Sequence, residues 1–261
     1  MANTVYANKI IEAKAKDLLT TSVNTRSLMT VDNELAQSAG MTKTINVYTY
    51  SGTAEEVAAG AGNTSRGAIS YDGIDYTVKT VQQVFDYTDE DFMKDNTIVD
   101  NMLKGANQVM VNKMTDYFTT ECGKATLKAE FAKGGKISYD IIVDAIAKLN
   151  VEDESKCIVL IPNAWKADLR KDDDYKAARM GEVVYNGQVA TIAGLPVVAS
   201  KAINEAYVLT PEAVKLFLKK DVEVEQDRDK EKRINTVILR AFYIVALADA
   251  TKICKIVEAA A

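Results

Sequence analysis

Between residues 99 and 118 the apolar side chains recur at helical intervals. Val99, Met102, Leu103, Ala106, Met110, Met114, Tyr117 and Phe118 fall on one broad face. Thr88 is a good N-cap, Asp89, Glu90 and Asp91 bring negative charge into the first turn, and Asp91 stands where a capping box needs an acceptor. Gly123 supplies a stop. The pattern predicts a single helix over 88–123, roughly 50 Å long at 1.5 Å per residue, more than a compact domain of this size needs. Gly105, inside it, costs about 1 kcal/mol relative to Ala and leaves room for a bend or a close backbone approach. An ordinary amphipathic core helix accounts for the same residues.

Ahead of that helix the period changes from helical to alternating. INVYTY at 45–50 and the β-branched and aromatic run at 71–85 read as strands. Glycines 52, 60, 62 and 67 fall in the stretch that joins them, and Gly73 near the start of the second run. The simplest geometry is a long antiparallel hairpin over about 45–85 with a wide tip of small residues, too poor in apolar surface to be stable alone. Two readings stand side by side, a mobile surface loop and an assembly arm held by a neighbouring subunit. The tip is not a phosphate loop, since it lacks GxxxxGK[ST] spacing. Residues 1–44 open with a loosely amphipathic segment, 5–19, carrying Ile10, Ile11, Leu18 and Leu19, followed by a polar stretch. That N-terminal arm packs either on a neighbour or on its own domain.

Beyond the long helix, Ser138 caps a predicted helix over 139–149, and CIVLI at 157–161 reads as a buried strand. Asn163 is placed to cap AWKADLRK. The acidic run Asp172, Asp173, Asp174 lacks an EF-hand pattern and reads as a solvated loop rather than a cation site. Gly181, Gly187 and Gly194 punctuate short strands, another strand covers 207–210, and Pro211 suits the first turn of a helical piece at 212–214. Val222 and Val224 alternate with Glu223 and Glu225, QDRDKEKR makes a charged turn, and a long strand returns over 234–248. Arg240, alone in that apolar run, requires an acidic or carbonyl partner if it points inward.

Composition narrows the chemistry. The 261 residues are 48% hydrophobic and 26% charged, which suits a globular chain with one large or two modest cores. No apolar run approaches the ~18 residues of a membrane span, and the start lacks a signal-peptide core. Net charge is −5 with no Lys/Arg block, so binding nucleic acid by phosphate neutralisation is disfavoured as the main activity; passive containment remains open. Cys122, Cys157 and Cys254 are far apart and odd in number, which argues against a disulfide framework or a zinc cluster. Histidine is absent. That excludes Ser/His/Asp and Cys/His catalysis and leaves carboxylates, Lys or Tyr for any acid–base chemistry.

Order and spacing together resemble one family. An arm, a Gly-rich hairpin, a long capped helix, an α/β region with LIPNAWKADL, then GQVATIAGLPVVASKAI and a closing hairpin are similar to the major capsid proteins of tailed bacteriophages, the Hong Kong 97-type fold. The most specific part is 161–203, where an aromatic-x-x-L helix (Trp165 to Leu169) precedes Gly187, Val189, Ile192, Gly194, Pro196, Val197 and Ser200. The resemblance covers essentially the whole chain, with the arm matching only in character.

The resemblance implies an α+β fold divided into an N-terminal arm (1–44), an extended hairpin loop (45–87), a spine helix with peripheral domain (88–137), an axial domain (138–205) and return strands of the peripheral domain (206–261). It implies a non-enzymatic tile without cofactor, catalytic residue or metal, assembling into hexamers and pentamers of an icosahedral head around double-stranded DNA in the bacterial cytoplasm of a host. Separate scaffold, portal and decoration proteins are the expected partners, and no membrane. There is no room ahead of residue 45 for the scaffolding segment some members carry, and nothing singles out the Lys–Asn cross-link of others. Contacts between subunits are expected at Glu55, Glu56, Arg66, Ile69 and Tyr71 on the hairpin and at Arg170, Asp172, Asp173 and Tyr175 in the acidic segment. Two alternatives compete: an encapsulin-type compartment shell with the same fold, and a His-free α/β enzyme with a cleft near 172–176.

Overall fold

The computed structural model describes residues 25–37, 39–178 and 191–259. After a 3-10 turn at Thr25–Leu28 come β1 (Thr30–Asp32) and α1 (Glu34–Gln37), then β2 (Thr42–Ser51) and β3 (Ala68–Thr77). β4 (Lys79–Thr88) leads into α2 (Asp89–Lys94) and α3 (Ile98–Cys122). β5 (Leu127–Phe131), α4 (Tyr139–Leu149), β6 (Ile158–Pro162), α5 (Lys166–Lys171) and α6 (Asp173–Ala178) follow. The chain continues with β7 (Thr191–Ile192), β8 (Leu195–Ser200), β9 (Ala206–Leu209), β10 (Val214–Asp229), β11 (Ile234–Leu247) and β12 (Ile253–Glu258). The fold is α+β.

Among the described residues the strands form three sheets. One is four-stranded, in the order β1-β10-β11-β4, parallel only between β1 and β10. A second runs β5-β12-β9-β6-β8-β7, and the third is the β2-β3 pair alone. The return segment is therefore shared: β10 and β11 build the first sheet, whereas β9 and β12 join β5 in the second.

α3 lays Val99, Leu103, Ala106, Met110, Val111, Met114 and Phe118 against the four-stranded sheet, where Leu216, Val237, Leu239 and Tyr243 complete the largest core. α4 buries Ile142, Ala145, Ile146 and Leu149 on the six-stranded sheet. β6 explains its unbroken apolar run by facing both cores, Leu160 toward the first, Val159 and Ile161 toward the second. All three cysteines are free and buried.

Several expectations need correction. The helix expected over 88–123 is two helices. Thr88 does form the capping box, its hydroxyl accepting from the Asp91 amide at 3.1 Å while an Asp91 oxygen accepts from the Thr88 amide. The turn then stops, because Asp95 Oδ1 accepts from both the amide and the hydroxyl of Thr97, at 2.8 and 2.7 Å, and holds Asp95 extended. A side chain that satisfies nearby backbone donors competes with the helix ladder. The remaining 25-residue α3 is about 37 Å long. Gly123 does follow its last residue, in right-handed geometry.

Asn163 caps no helix. Its amide donates to the Ser200 carbonyl at 2.9 Å, tying β6 to β8, and α5 begins at Lys166 after an uncapped Trp165. Residues 212–214 are not helical either; the Ala213 amide donates to Thr210 in a tight turn, and β10 starts at Val214. Asp172–Asp174 is a junction between two short helices rather than a solvated loop. The segment 5–19, Gly181, Gly187 and Val189 lie outside the described residues. The described part of the arm docks on its own body, with Leu28, Met29 and Leu35 buried and β1 paired to β10.

Candidate assembly surface

The run expected as the second hairpin strand divides at Val78. β3 belongs to the ribbon, whereas β4 is built into the four-stranded sheet beside β11. The projecting element is thus 42–77. Its register sets Tyr48 opposite Tyr71 and Tyr50 opposite Ile69. Directly opposed residues share a face, and so do residues two apart along a strand. These four side chains therefore form one continuous plate, with exposures of 66% for Tyr48, 68% for Tyr50, 68% for Ile69 and 69% for Tyr71. The rings of Tyr48 and Tyr71 stand 6.2 Å apart, tilted by 44°. A contiguous apolar patch left in solvent on a two-stranded ribbon buries little area within this chain, and such patches mark contact sites.

Toward the tip the plate rests on glycine. Cβ atoms built at Gly52 and Gly67 would both run into the Tyr50 ring, so the two bare backbones form its seat. The wide loop beyond is closed by Glu55, which accepts from the amide and the hydroxyl of Thr64, each at 2.8 Å. The Thr64 amide, and after it the Thr64 hydroxyl, hold the Glu55 carboxyl below its ordinary value. Glu56 and Arg66 are exposed on this loop.

At its root the ribbon is fixed. Ile45 and Tyr76 pack on a small core of Leu35, Val78, Phe217, Ile244 and Ala246, and Lys43 pairs with Glu34 at 2.6 Å.

The other expected contact residues sit on the helix layer of the six-stranded sheet. Arg170 is exposed in the last turn of α5, and Asp173 is exposed at the start of α6. Asp172 is occupied within the chain: Oδ2 accepts from the Tyr139 amide at 2.5 Å and Oδ1 from the Asp174 amide at 3.2 Å, so one carboxylate serves the first turns of α4 and α6. Tyr175, 6% exposed, belongs to the second core rather than to an outer surface. Among the described residues, no group of three or more His, Cys, Asp or Glu side chains is arranged to hold a metal ion.

Sequence reasoning named Ile69 and Tyr71 but missed Tyr48 and Tyr50. Alternation in INVYTY signals them; the cross-strand register that joins the two pairs depends on how many residues the tip consumes, which the sequence does not show.

No family model matches the chain, and no curated protein matches it in sequence. Solved structures do. The capsid of Cyanophage P-SCSP1u superposes with a TM-score of 0.70 at 11% identity, covering 90% of this chain and 87% of that one. The mature capsid of bacteriophage PhiM1 gives 0.68 at 11% identity, over 90% and 87%. A virus-like particle from Pyrococcus furiosus gives 0.65 at 10% identity, over 97% and 100%. At such identities the likeness carries architecture and not residue roles. It extends over nine-tenths or more of the chain in each case, and the chain has the fold of tailed-phage major capsid proteins.

Proposed function

We propose that the protein is a shell subunit, the major capsid protein of a phage head, which assembles from hexamers and pentamers into an icosahedral container for double-stranded DNA. The observation that carries this reading is the ribbon: an anchored arm that displays three tyrosines and an isoleucine to solvent, on a fold shared with the capsids of Cyanophage P-SCSP1u and bacteriophage PhiM1. Apolar area contributes about 25 cal/mol per Å² before association costs, so one plate is weak and many copies acting together are strong. The ribbon over 42–77 serves as the extended loop, α3 as the spine helix, the six-stranded sheet with α4 as the axial domain, and β10 and β11 as the return strands of the peripheral domain. Glu56 and Arg66 on the ribbon's tip, and Arg170 and Asp173 on the helix layer of the six-stranded sheet, are the charged contacts. Scaffold, portal and decoration proteins are the partners such a head requires, and assembly takes place in the host cytoplasm. The role is structural, with no catalysis.

Electron microscopy of the overexpressed chain tests this: closed particles or capsomers are expected, and a stable monomer across concentration and salt would refute it. The near-complete overlap with the Pyrococcus furiosus virus-like particle supports a second reading, an encapsulin-type compartment. Particle contents separate the two. A genome-packaging partner favours the phage head, and an enclosed peptide-tagged enzyme favours the compartment.

A further inference from the structure

Glu121 is an ill-placed acid. It is the penultimate residue of α3, where the helix dipole disfavours negative charge, and its side chain is only 10% exposed. Three donors, from two strands and the turn after the helix, converge on it. Tyr76 at the base of β3 donates its hydroxyl at 3.2 Å, Lys124 beyond the helix donates at 2.7 and 2.8 Å, and the Leu247 amide at the end of β11 approaches at 3.4 Å. The Lys124 ammonium also stands 5.3 Å from the centre of the Tyr76 ring. Burial first, and then the charge of Glu121, push the Tyr76 phenol up to about 12, so it stays a donor at any working pH.

We infer that Glu121 is a positioning residue, a lock that fixes the angle at which the ribbon leaves the body by joining its root to the spine helix and to the return strand. The inference rests on the reading that the ribbon seats on a second copy, for which the direction of the plate matters. The contacts that otherwise join the root to the body are apolar packing and Lys43, which pairs with Glu34 and stands 5.6 Å from the centre of the Phe217 ring, and these set direction less strictly than a hydrogen bond does.

The test is hydrogen–deuterium exchange on the full chain in dilute solution, comparing wild type with Tyr76→Phe and Glu121→Gln. Tyr76→Phe keeps the ring and its packing while removing the donor. Exchange at amides 42–46 and 74–78 should rise about 5- to 10-fold in both variants, with β10 and β11 unchanged except at the Leu247 amide, which Glu121 accepts from. Unchanged exchange at the root in both variants, or an equal rise throughout β10 and β11, would overturn the lock. Particle diameters supply the second readout, and Tyr76→Phe should broaden their distribution; uniform diameters despite faster root exchange would overturn the lock's role in assembly. If wild type forms no particles, the shell reading fails, while the exchange comparison still decides the lock.

Discussion

The ring of Tyr50 lies over the bare backbone of Gly67, the residue just before β3, in the space a Cβ there would fill. Gly67→Ala should push the ring off its seat without disturbing the body, because the displaced group is the solvent-exposed end of a side chain. Thermal or denaturant unfolding should change by no more than about 0.5 kcal/mol, while the concentration at which particles form should rise about tenfold. Gly52→Ala should be harsher, since its Cβ would stand 2.8 Å from the Gly67 Cα and backbone would have to move.

The capping box ahead of α2 predicts an acid response with a definite sign. The Thr88 hydroxyl, followed by its amide, holds the Asp91 carboxyl below its ordinary value. A depressed folded-state pKa gives stability that is present above the unfolded value, near 4, and is lost as pH falls through the lower folded value. Asp91→Asn should therefore lower stability at neutral pH and flatten its fall below about pH 4, as read by denaturant midpoints over a pH series. Thr88→Ala should cost about 1 kcal/mol through loss of the cap.

Gly105 separates folding from assembly. A Cβ there meets nothing within 4 Å in the chain, and the residue is exposed on α3. Gly105→Ala should stabilise the folded chain by about 0.5–1 kcal/mol, measured by denaturant unfolding. Loss of particles in a variant so stabilised would place a neighbour's backbone against this point of the helix.

Much of the architecture is legible because local signals agree with the final packing. Ser138 caps α4 as its position predicts, the 10–11 hairpin follows its alternation, and Arg240 finds Glu225 at 2.9 Å and Gln82 at 2.8 Å on the face of the sheet. Errors arise where two local hydrogen-bonding solutions compete. Thr97 looks like an interior helical residue until Asp95 folds back on it, and Asn163 looks like a cap until its amide is drawn to Ser200. The partition of 71–85 between ribbon and sheet was hidden for another reason. β4 finds β11 from far along the chain, a pairing that no local pattern encodes. For the contact surface, charge drew attention to Asp172, which the chain uses internally, whereas Tyr48 and Tyr50 depend on register.

The ribbon's plate can be removed without touching either large core, which gives the most direct test. Sedimentation velocity and electron microscopy should compare wild type with a variant carrying Tyr48→Ser, Tyr50→Ser, Ile69→Ser and Tyr71→Ser, circular dichroism confirming that both are folded. Wild type should form closed particles and the folded variant should remain as small species; equal assembly by both, or none by either, would contradict a shell built through this ribbon.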